Sequence, residues 1–478
     1  MTRSIKTIIT AIALATALGT ISPVAHGEEP SSTYAKSLHD KVAPSMYAVQ
    51  YTWAYEFGRI EFVTTGIVVR DDGLIAVPLS AVGPGIPDMQ MVDFKIIVPA
   101  KDRDEIELDA VFQGRDERTQ LAFVKPKETG RTWAAVTFED LPIAMGDRVA
   151  SIGMLPKDAG YGTYFQQGII GAKLRGEQPA WLVTDGGVGA IGAAVFNADG
   201  KAIGLVMGQM PQQPFLHTSS DRRNQAINTL AAVNVSPCLF VPTKDFELSL
   251  KTPPTPQQPI KLPWIGTPQL TGLEKDVSEA FGLQNQPAIE IGDVIKDSPA
   301  DRAGLKVGQK IVKLNGQPLE RGDNPEELPV ILGRNLRKLP IGTEITLSIF
   351  TEKDKPLQDV KIKLEERPKN QRELRRFWAE DLGFSARDVS FEDTYARKQA
   401  ADFKGVVVAI LKREGAAAAA RLEIGDIITA LNGTEVKNLD QFEAAYKALR
   451  KDKPKEPIVL VVLKPDATTQ TIKIEAPQ

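Results

Sequence analysis

An internal repeat constrains this chain more than any other feature of its sequence. Residues 303–316 and residues 420–433 lie 117 positions apart, and half of their aligned positions are identical. Each copy predicts a short helix, a glycine turn, a buried strand and an Asn-Gly turn, which is a strong signal for a tight reversal between strands. Repetition at this size indicates two copies of one domain. The charged stretch from Glu365 to Arg376 would link the two copies.

A proline-rich segment separates the repeats from a different N-terminal region. Residues 252–259 contain four prolines, which exclude a helix or a central strand and predict an extended linker. The region before it, residues 28–251, alternates short β-type runs with turns such as the one at residues 71–73. The β-type runs include residues 62–70, 94–98, 149–153 and 205–208. Many short strands with turn signals favour a β-barrel or a β-sandwich.

The first 27 residues have the composition of a secretory signal peptide. Arg3 and Lys6 precede an apolar stretch at residues 8–21, and Ala25 and Gly27 are the small residues at the predicted cleavage site. A retained membrane anchor is the alternative, but spanning a bilayer takes roughly 20 apolar residues. We therefore expect an exported chain, in the periplasm or cell envelope or secreted.

Composition excludes several classes of function. The chain has 58 basic and 61 acidic side chains without a basic stripe that could follow phosphates, so nucleic acid is not an expected partner. The one cysteine, Cys238, lies in an apolar run typical of a buried strand, and we expect it in the core. After the signal only His39 and His217 remain as histidines. These residues lack zinc-ligand spacing, and we expect no metal and no cofactor.

The repeated run has the pattern aliphatic, Gly, Asp or Gln, x, Ile, x, x, Leu, Asn, Gly. This pattern resembles the PDZ domains of the HtrA family in their bacterial, permuted arrangement. The resemblance covers residues 260–366 and residues 377–478, with a linker at residues 367–376. It implies that an extended C-terminal peptide binds as an added strand beside a helix, while backbone N–H groups of a loop hold its carboxylate.

The second copy matches this peptide-binding pattern more closely than the first. Residues 381–385 resemble the loop, and residues 439–450, capped by Asn438 or Asp440, predict the groove helix. In the first copy the helix contains Pro325 and Pro329. Pro325 suits a first helical position, but Pro329 is expected to break or shorten the helix. The predicted peptide-binding residues are Leu382, Gly383, Phe384, Ser385, Phe442 and Tyr446 in the second copy and Trp264, Ile265 and Gly266 in the first.

Several stretches before the linker carry a second resemblance. They are residues 65–77, residues 116–125, residues 145–153 with 167–170, and residues 183–185 with 189–193. In this order they resemble the first hairpin, the aspartate-bearing segment, a strand pair and the serine-bearing segment of the HtrA protease domain. The resemblance implies a mainly β chain with α+β modules: a trypsin-like double β-barrel followed by two PDZ domains.

The same resemblance places Ser80, Gln120 and Ile191 at the family's histidine, aspartate and serine positions. A hydroxyl nucleophile needs a base within hydrogen-bond reach and an acid that orients the base. The Gln120 amide carries no charge that could orient and stabilise a base, and the Ile191 alkyl group contains no nucleophile. No serine occurs in residues 182–206, so a small shift of register does not restore the nucleophile. We expect a degenerate triad without catalytic residues, with Ile191 packed in an apolar or filled cleft.

A neighbouring set of residues imitates a triad. His217, Ser220 and Asp221 lie within five positions of one another. Residues this close in sequence rarely converge on one reacting atom, and we interpret the segment as a surface turn.

Three functions remain open. The first is a non-catalytic scaffold or chaperone-like factor that binds C-terminal or unfolded peptide segments. The second is an active HtrA-type serine endopeptidase with unrecognised catalytic residues, against which the histidine inventory argues. The third is an assembly module, since HtrA relatives form trimers through the protease domain. In that case we expect the chain to form a homotrimer.

Overall fold

The structure is a computed structural model. It describes residues 32–83, 85–99, 105–174, 179–184, 186–209, 238–283, 286–322, 324–352, 355–399 and 403–475. The predicted signal peptide and the set at residues 217–221 lie outside the described residues. The first described element is helix α1 (Ser32–Val42), whose Leu38 and Val42 are buried in the core of the second barrel described below.

Six strands form a first closed β-barrel. They are β1 (Met46–Tyr55), β2 (Gly58–Val68), β3 (Ile75–Pro78), β4 (Met91–Val98), β5 (Ile106–Asp116) and β6 (Leu121–Pro126). The strand order is β1-β2-β3-β6-β5-β4, and β4 pairs with β1 to close the barrel. Because successive side chains of a strand point to opposite faces, alternate residues such as Val49 and Tyr51 fill one buried cluster.

Six further strands form a second closed barrel. They are β7 (Arg148–Met154), β8 (Thr163–Leu174), β9 (Ala180–Thr184), β10 (Ala194–Asn197), β11 (Ala202–Gln209) and β12 (Cys238–Pro242). Their order is β10-β11-β12-β9-β8-β7, closed by the pairing of β10 with β7. Cys238 is buried at the start of β12, as expected. The predicted mainly β chain with a trypsin-like pair of barrels is therefore confirmed.

The proline-rich segment after the barrels is not simply extended. It follows helix α2 (Glu247–Lys251) and makes a turn in which Thr255 and Gln258 exchange backbone hydrogen bonds of 3.2 and 3.0 Å. Pro254 is buried, and a Cβ added to Gly114 of β5 would lie 3.1 Å from it. The segment therefore lies against the first barrel, where the apolar ring of Pro254 is buried beside Gly114.

Two small domains follow, which we call the first and second repeat domains. The first contains β13 (Pro263–Trp264), β14 (Leu270–Gly272), α3 (Lys275–Ala280), β15 (Ile289–Ile291), α4 (Pro299–Arg302), β16 (Lys310–Leu314), β17 (Gln317–Pro318), α5 (Glu327–Arg337), β18 (Glu344–Phe350), β19 (Gln358–Lys363) and β20 (Glu365–Glu366). The second contains β21 (Arg376–Ala379), β22 (Phe384–Asp388), α6 (Phe391–Ala396), β23 (Val406–Leu411), α7 (Ala416–Ala419), β24 (Ile427–Leu431), β25 (Thr434–Glu435), α8 (Leu439–Asp452), β26 (Ile458–Leu463) and β27 (Thr469–Ile474).

The two repeat domains share one topology, with one difference at an edge. Their sheets run β14-β15-β16-β18-β19 and β22-β23-β24-β26-β27 in the same sense. The second sheet carries an additional strand, β21, on the outer edge of β22, whereas β13 of the first domain pairs with β20 instead. None of the helices in the described ranges has both the length and the apolar character that crossing a membrane requires.

Candidate functional site

Ser80 and Gln120 lie side by side at one edge of the first barrel. Ser80 is on a short 3-10 helix, Leu79–Val82, that follows β3, and Gln120 is in the turn between β5 and β6. The Leu79 N–H donates to the Gln120 carbonyl oxygen at 2.8 Å and ties the helix to the turn. Gln120 has a φ of 59°, and its side-chain amide donates to the Glu117 carbonyl oxygen at 2.8 Å. The Gln120 amide is therefore already bonded within its own turn.

Ile191 lies in the turn before β10, where the second barrel meets the first. The next residue, Gly192, donates its N–H to the Val206 carbonyl oxygen at 2.9 Å. A Cβ on Gly192 would lie 2.2 Å from the Thr65 carbonyl oxygen of β2 and 3.4 Å from Cδ of Pro78. This close approach requires glycine, and it places the turn against the end of β3.

Ser80 reaches across the same junction. Its Oγ donates to the Met207 carbonyl oxygen of β11 at 3.3 Å, and the residue is exposed. The structure thus brings the helix of Ser80, the turn of Gln120 and the turn of Ile191 to the junction of the two barrels. Ile191 is half-buried, so it is covered less completely than the filled cleft of our prediction requires.

No described imidazole joins this junction. His39 is the one histidine among the described residues, and it lies on α1 with Nε2 2.8 Å from Thr163 Oγ1 of β8. His217 lies outside the described residues. In the part of the chain that the structure describes, no group of His, Cys, Asp or Glu side chains is arranged to hold a metal ion.

A buried carboxylate near Gln120 serves packing rather than the junction. Asp116 is fully buried and accepts hydrogen bonds from Arg118 Nε and Nη2 at 2.9 and 2.7 Å. Ser249 of α2 donates to the same carboxylate at 2.5 Å. Leaving a buried charge unpaired is costly, so this network holds α2 on the first barrel. Sequence reasoning missed it because Ser249 lies 133 positions from Asp116.

The predicted loops of the two repeat domains have the same backbone geometry. In the first loop (residues 264–266), the Ile265 carbonyl oxygen accepts from Ala300 N at 2.8 Å and the Gly266 carbonyl oxygen from Ile295 N at 2.9 Å. The second loop spans residues 380–383 rather than the predicted 381–385, because Phe384 already begins β22. Its Leu382 and Gly383 carbonyl oxygens accept from Ala417 and Lys412 N at 2.9 and 2.8 Å. Gly266 and Gly383 have φ values of 92° and 76°, which favour glycine. Trp264 ends β13 and is the first residue of the first loop.

The first repeat helix does not break at Pro329, so that prediction is wrong. Helix α5 runs from Glu327 to Arg337 with Pro329 in its first turn, where N–H groups have no intrahelical partner. Pro325 precedes the helix and accepts a bond from Leu328 N at 3.1 Å. A Cβ on Gly272 would lie 1.8 Å from the Pro325 carbonyl oxygen. The space between β14 and α5, which we call the first groove, is therefore narrowed where Gly272 contacts Pro325.

The second repeat helix matches its prediction, but its groove is occupied. Helix α8 runs from Leu439 to Asp452, with Asn438 as the N-cap that accepts from Gln441 N at 2.9 Å. Phe442 and Tyr446 are buried on one face, together with the loop-side residues Leu382, Phe384 and Ser385. The space between β22 and α8, which we call the second groove, holds β21 of the same chain.

Comparison with known proteins agrees with this architecture. A trypsin-like peptidase domain family matches residues 58–205, and PDZ domain families match residues 290–328 and 381–475. A "Probable periplasmic serine endoprotease DegP-like" protein of Pseudomonas putida is 25% identical to this chain, and the match covers 75% of this chain and 70% of the relative. A protein of the same description from Rhizobium meliloti is also 25% identical, and the match covers 81% of this chain and 70% of the relative. This chain is therefore similar to DegP-like serine endoproteases over three quarters or more of its length.

Solved structures show the same fold. A serine-to-alanine variant of the HtrA-type protease AlgW, solved with a decapeptide, matches 70% of this chain and 98% of its own, with a TM-score of 0.52 and 19% identity. The same AlgW variant, solved with a tripeptide, has a TM-score of 0.50. The fold is therefore that of one trypsin-like domain followed by two PDZ domains, which are the two repeat domains. The periplasmic relatives also support the predicted export to the periplasm or cell envelope.

Proposed function

We propose that this HtrA-type protein binds extended polypeptide segments through its PDZ domains and does not hydrolyse them. The observation that carries the proposal is Ile191 in the turn where the family's nucleophile is expected, next to Gly192, which approaches Pro78 at the end of β3. Within the described ranges, Ser80, Gln120 and Ile191 stand at the three triad positions of the junction, and their side chains do not make up a Ser-His-Asp set.

The proposal follows from what each position can do chemically. An alkyl group cannot attack a carbonyl carbon, a serine hydroxyl cannot accept the proton at neutral pH, and an amide cannot stabilise an imidazolium. Loss of a whole triad lowers turnover by roughly a million-fold in serine proteases. The remaining interactions of a double barrel with a peptide then result in binding without cleavage.

Peptide binding is supported by the PDZ loops and by the peptide-bound AlgW relatives of the same fold. Addition of a strand to a sheet edge satisfies the backbone of an extended ligand without reading much of its sequence. This property suits a scaffold or chaperone-like factor that captures C-terminal or unfolded segments in the cell envelope.

The test combines a binding and a cleavage measurement on the purified full chain after removal of the signal. Fluorescent peptides from an unfolded protein are titrated, and the same peptides are then incubated for a day and weighed by mass spectrometry. We expect saturable binding and intact peptides. Cleavage that disappears in a Ser80→Ala variant would favour the active endopeptidase instead, and an absence of binding would remove the scaffold function.

A further inference from the structure

Strand β21 occupies the position of a bound peptide. It pairs antiparallel with β22 in the register Arg376↔Arg387 to Ala379↔Phe384, on the edge of β22 opposite β23. It runs toward the second loop, as a C-terminal peptide added to a PDZ sheet does. The first repeat domain has no such strand beside β14 in its described sheet.

The end of β21 uses the hydrogen-bond donors of the loop. The Ala379 carbonyl oxygen accepts from the N–H groups of Leu382 and Gly383, at 3.2 and 2.9 Å. These are two of the donors that we predicted for a ligand carboxylate. The Ala379 side chain is fully buried in the core cluster that includes Leu382 and Phe442. Ala379 therefore lies where the last residue of a peptide ligand would lie.

One face of the segment contacts helix α8. The Phe377 ring packs edge-on against Tyr446 and Phe442, with centroid distances of 5.4 and 6.2 Å. Two residues earlier, Arg375 forms ion pairs with Asp440, at 2.5 Å, and with Glu443. A period of two places both side chains on the same face of an extended chain. The groove wall on α8 thus offers an aromatic surface and, beside it, two carboxylates.

The opposite face contacts the first barrel. Arg376 lies 3.6 Å from the Glu56 carboxylate, and the Trp378 ring packs edge-on against Phe57 at 5.2 Å. Glu56 and Phe57 form the turn between β1 and β2. Residues 375–379 are therefore held from both sides, by α8 and by this hairpin.

We infer that residues 375–379 are an intramolecular ligand of the second groove, and that the groove accepts an external C-terminal segment of the pattern cation-x-aromatic-x-small only after they leave. The external part of this inference rests on the proposed peptide-binding function. The expected partner has Arg or Lys at the fifth residue from its end, facing Asp440 and Glu443, and an aromatic residue at the third, facing Tyr446. Its terminal carboxylate replaces the Ala379 carbonyl.

The test uses the full chain and a fluorescent peptide with the sequence of residues 374–379 and a free C-terminus. The protein variant Arg375→Ala/Phe377→Ala removes the contacts of the internal ligand with α8. We expect the variant to bind the peptide about ten-fold or more tightly than the unmodified chain, because only the fraction with an empty groove can bind. The matched control is the same peptide with alanine at the positions of Arg375 and Phe377, which should bind at least about ten-fold more weakly.

A second measurement guards against a variant that does not fold. Saturating peptide should increase backbone hydrogen exchange in residues 376–379 of the unmodified chain, since they leave the sheet. Equal affinity for variant and unmodified chain, or unchanged exchange at saturation, would overturn the inference. If unfolded-protein peptides still bind the chain in that case, the proposed function stands; if no peptide binds either protein, the proposed function fails as well.

Discussion

The two PDZ domains have the same loop geometry and different grooves. In the first, β13 pairs with β20, and the start of α5 contacts β14 at Gly272. In the second, β21 turns back onto β22 and fills the space beside α8. The difference shows that the loop and the sheet alone do not determine whether a PDZ groove is open. The segment that leads into the loop decides it, because that segment can pair with a neighbouring strand or become the ligand.

Among the predictions from this comparison, replacing the two loop glycines should have the largest effect on the stability of the PDZ domains. A Cβ on Gly266 would lie 2.2 Å from Cβ of the buried Ser298, whereas a Cβ on Gly383 would lie 3.1 Å from the Gly415 Cα. Both sites have positive φ, which costs an L-residue about 1–2 kcal/mol. Gly266→Ala should add a clash and cost about 3 kcal/mol or more in total.

The measurement is local opening of each PDZ domain in the full chain, by hydrogen-exchange mass spectrometry. Gly266→Ala should speed exchange in the first domain strongly, and Gly383→Ala should speed exchange in the second more mildly. The reverse order would show that the second loop, with its internal ligand, is the less tolerant of the two.

A smaller effect is expected from acid, and only in the second domain. Hydrogen bonds from Lys447 and then Arg375 hold the pKa of Glu443 below its ordinary value. Asp440 is the other carboxylate beside Arg375. A carboxyl group whose pKa is lower in the folded state adds stability above its unfolded pKa, and this stability is lost as the pH falls through the folded pKa. Below about pH 4, the contact between α8 and β21 should therefore weaken.

The check is urea unfolding of the second domain within the full chain at pH 7 and at about pH 3.5. The unmodified protein should lose more stability between these values than a Glu443→Gln variant, which has no charge to lose. An equal loss of stability in both proteins would show that protonation of Glu443 does not cause the acid response. It would also contradict the role that we assign to the Arg375 ion pairs.

Local sequence signals predicted much of this architecture. The repeat predicted both small domains, Gly266 and Gly383 marked the two loops, and Asn438 with the periodicity of α8 marked the groove helix. Each of these features depends on residues close in sequence. The positions of Ser80, Gln120 and Ile191 followed from the resemblance to the HtrA protease domain, and the structure brings all three segments to one junction.

Long-range packing accounts for what the sequence did not show. Residues 375–379 are two arginines, two aromatic residues and an alanine, without the alternation that predicts a strand. Residues 376–379 form β21 because β22, α8 and the β1–β2 hairpin surround them. Pro329 was misjudged because the start of α5 was not known to within two residues. The half-burial of Ile191 depends on the approach of two barrels, which no local pattern reports.

The two PDZ domains differ in what lies beside the groove strand, and for the barrel junction the proposed function predicts no covalent labelling at all. The most direct test of binding without hydrolysis is the intact mass of the purified mature chain after treatment with a fluorophosphonate, which phosphonylates activated serines. We predict an unchanged mass and no labelling. A mass increase of one phosphonyl group that disappears when a single serine, Ser80 included, is replaced by alanine would contradict the account.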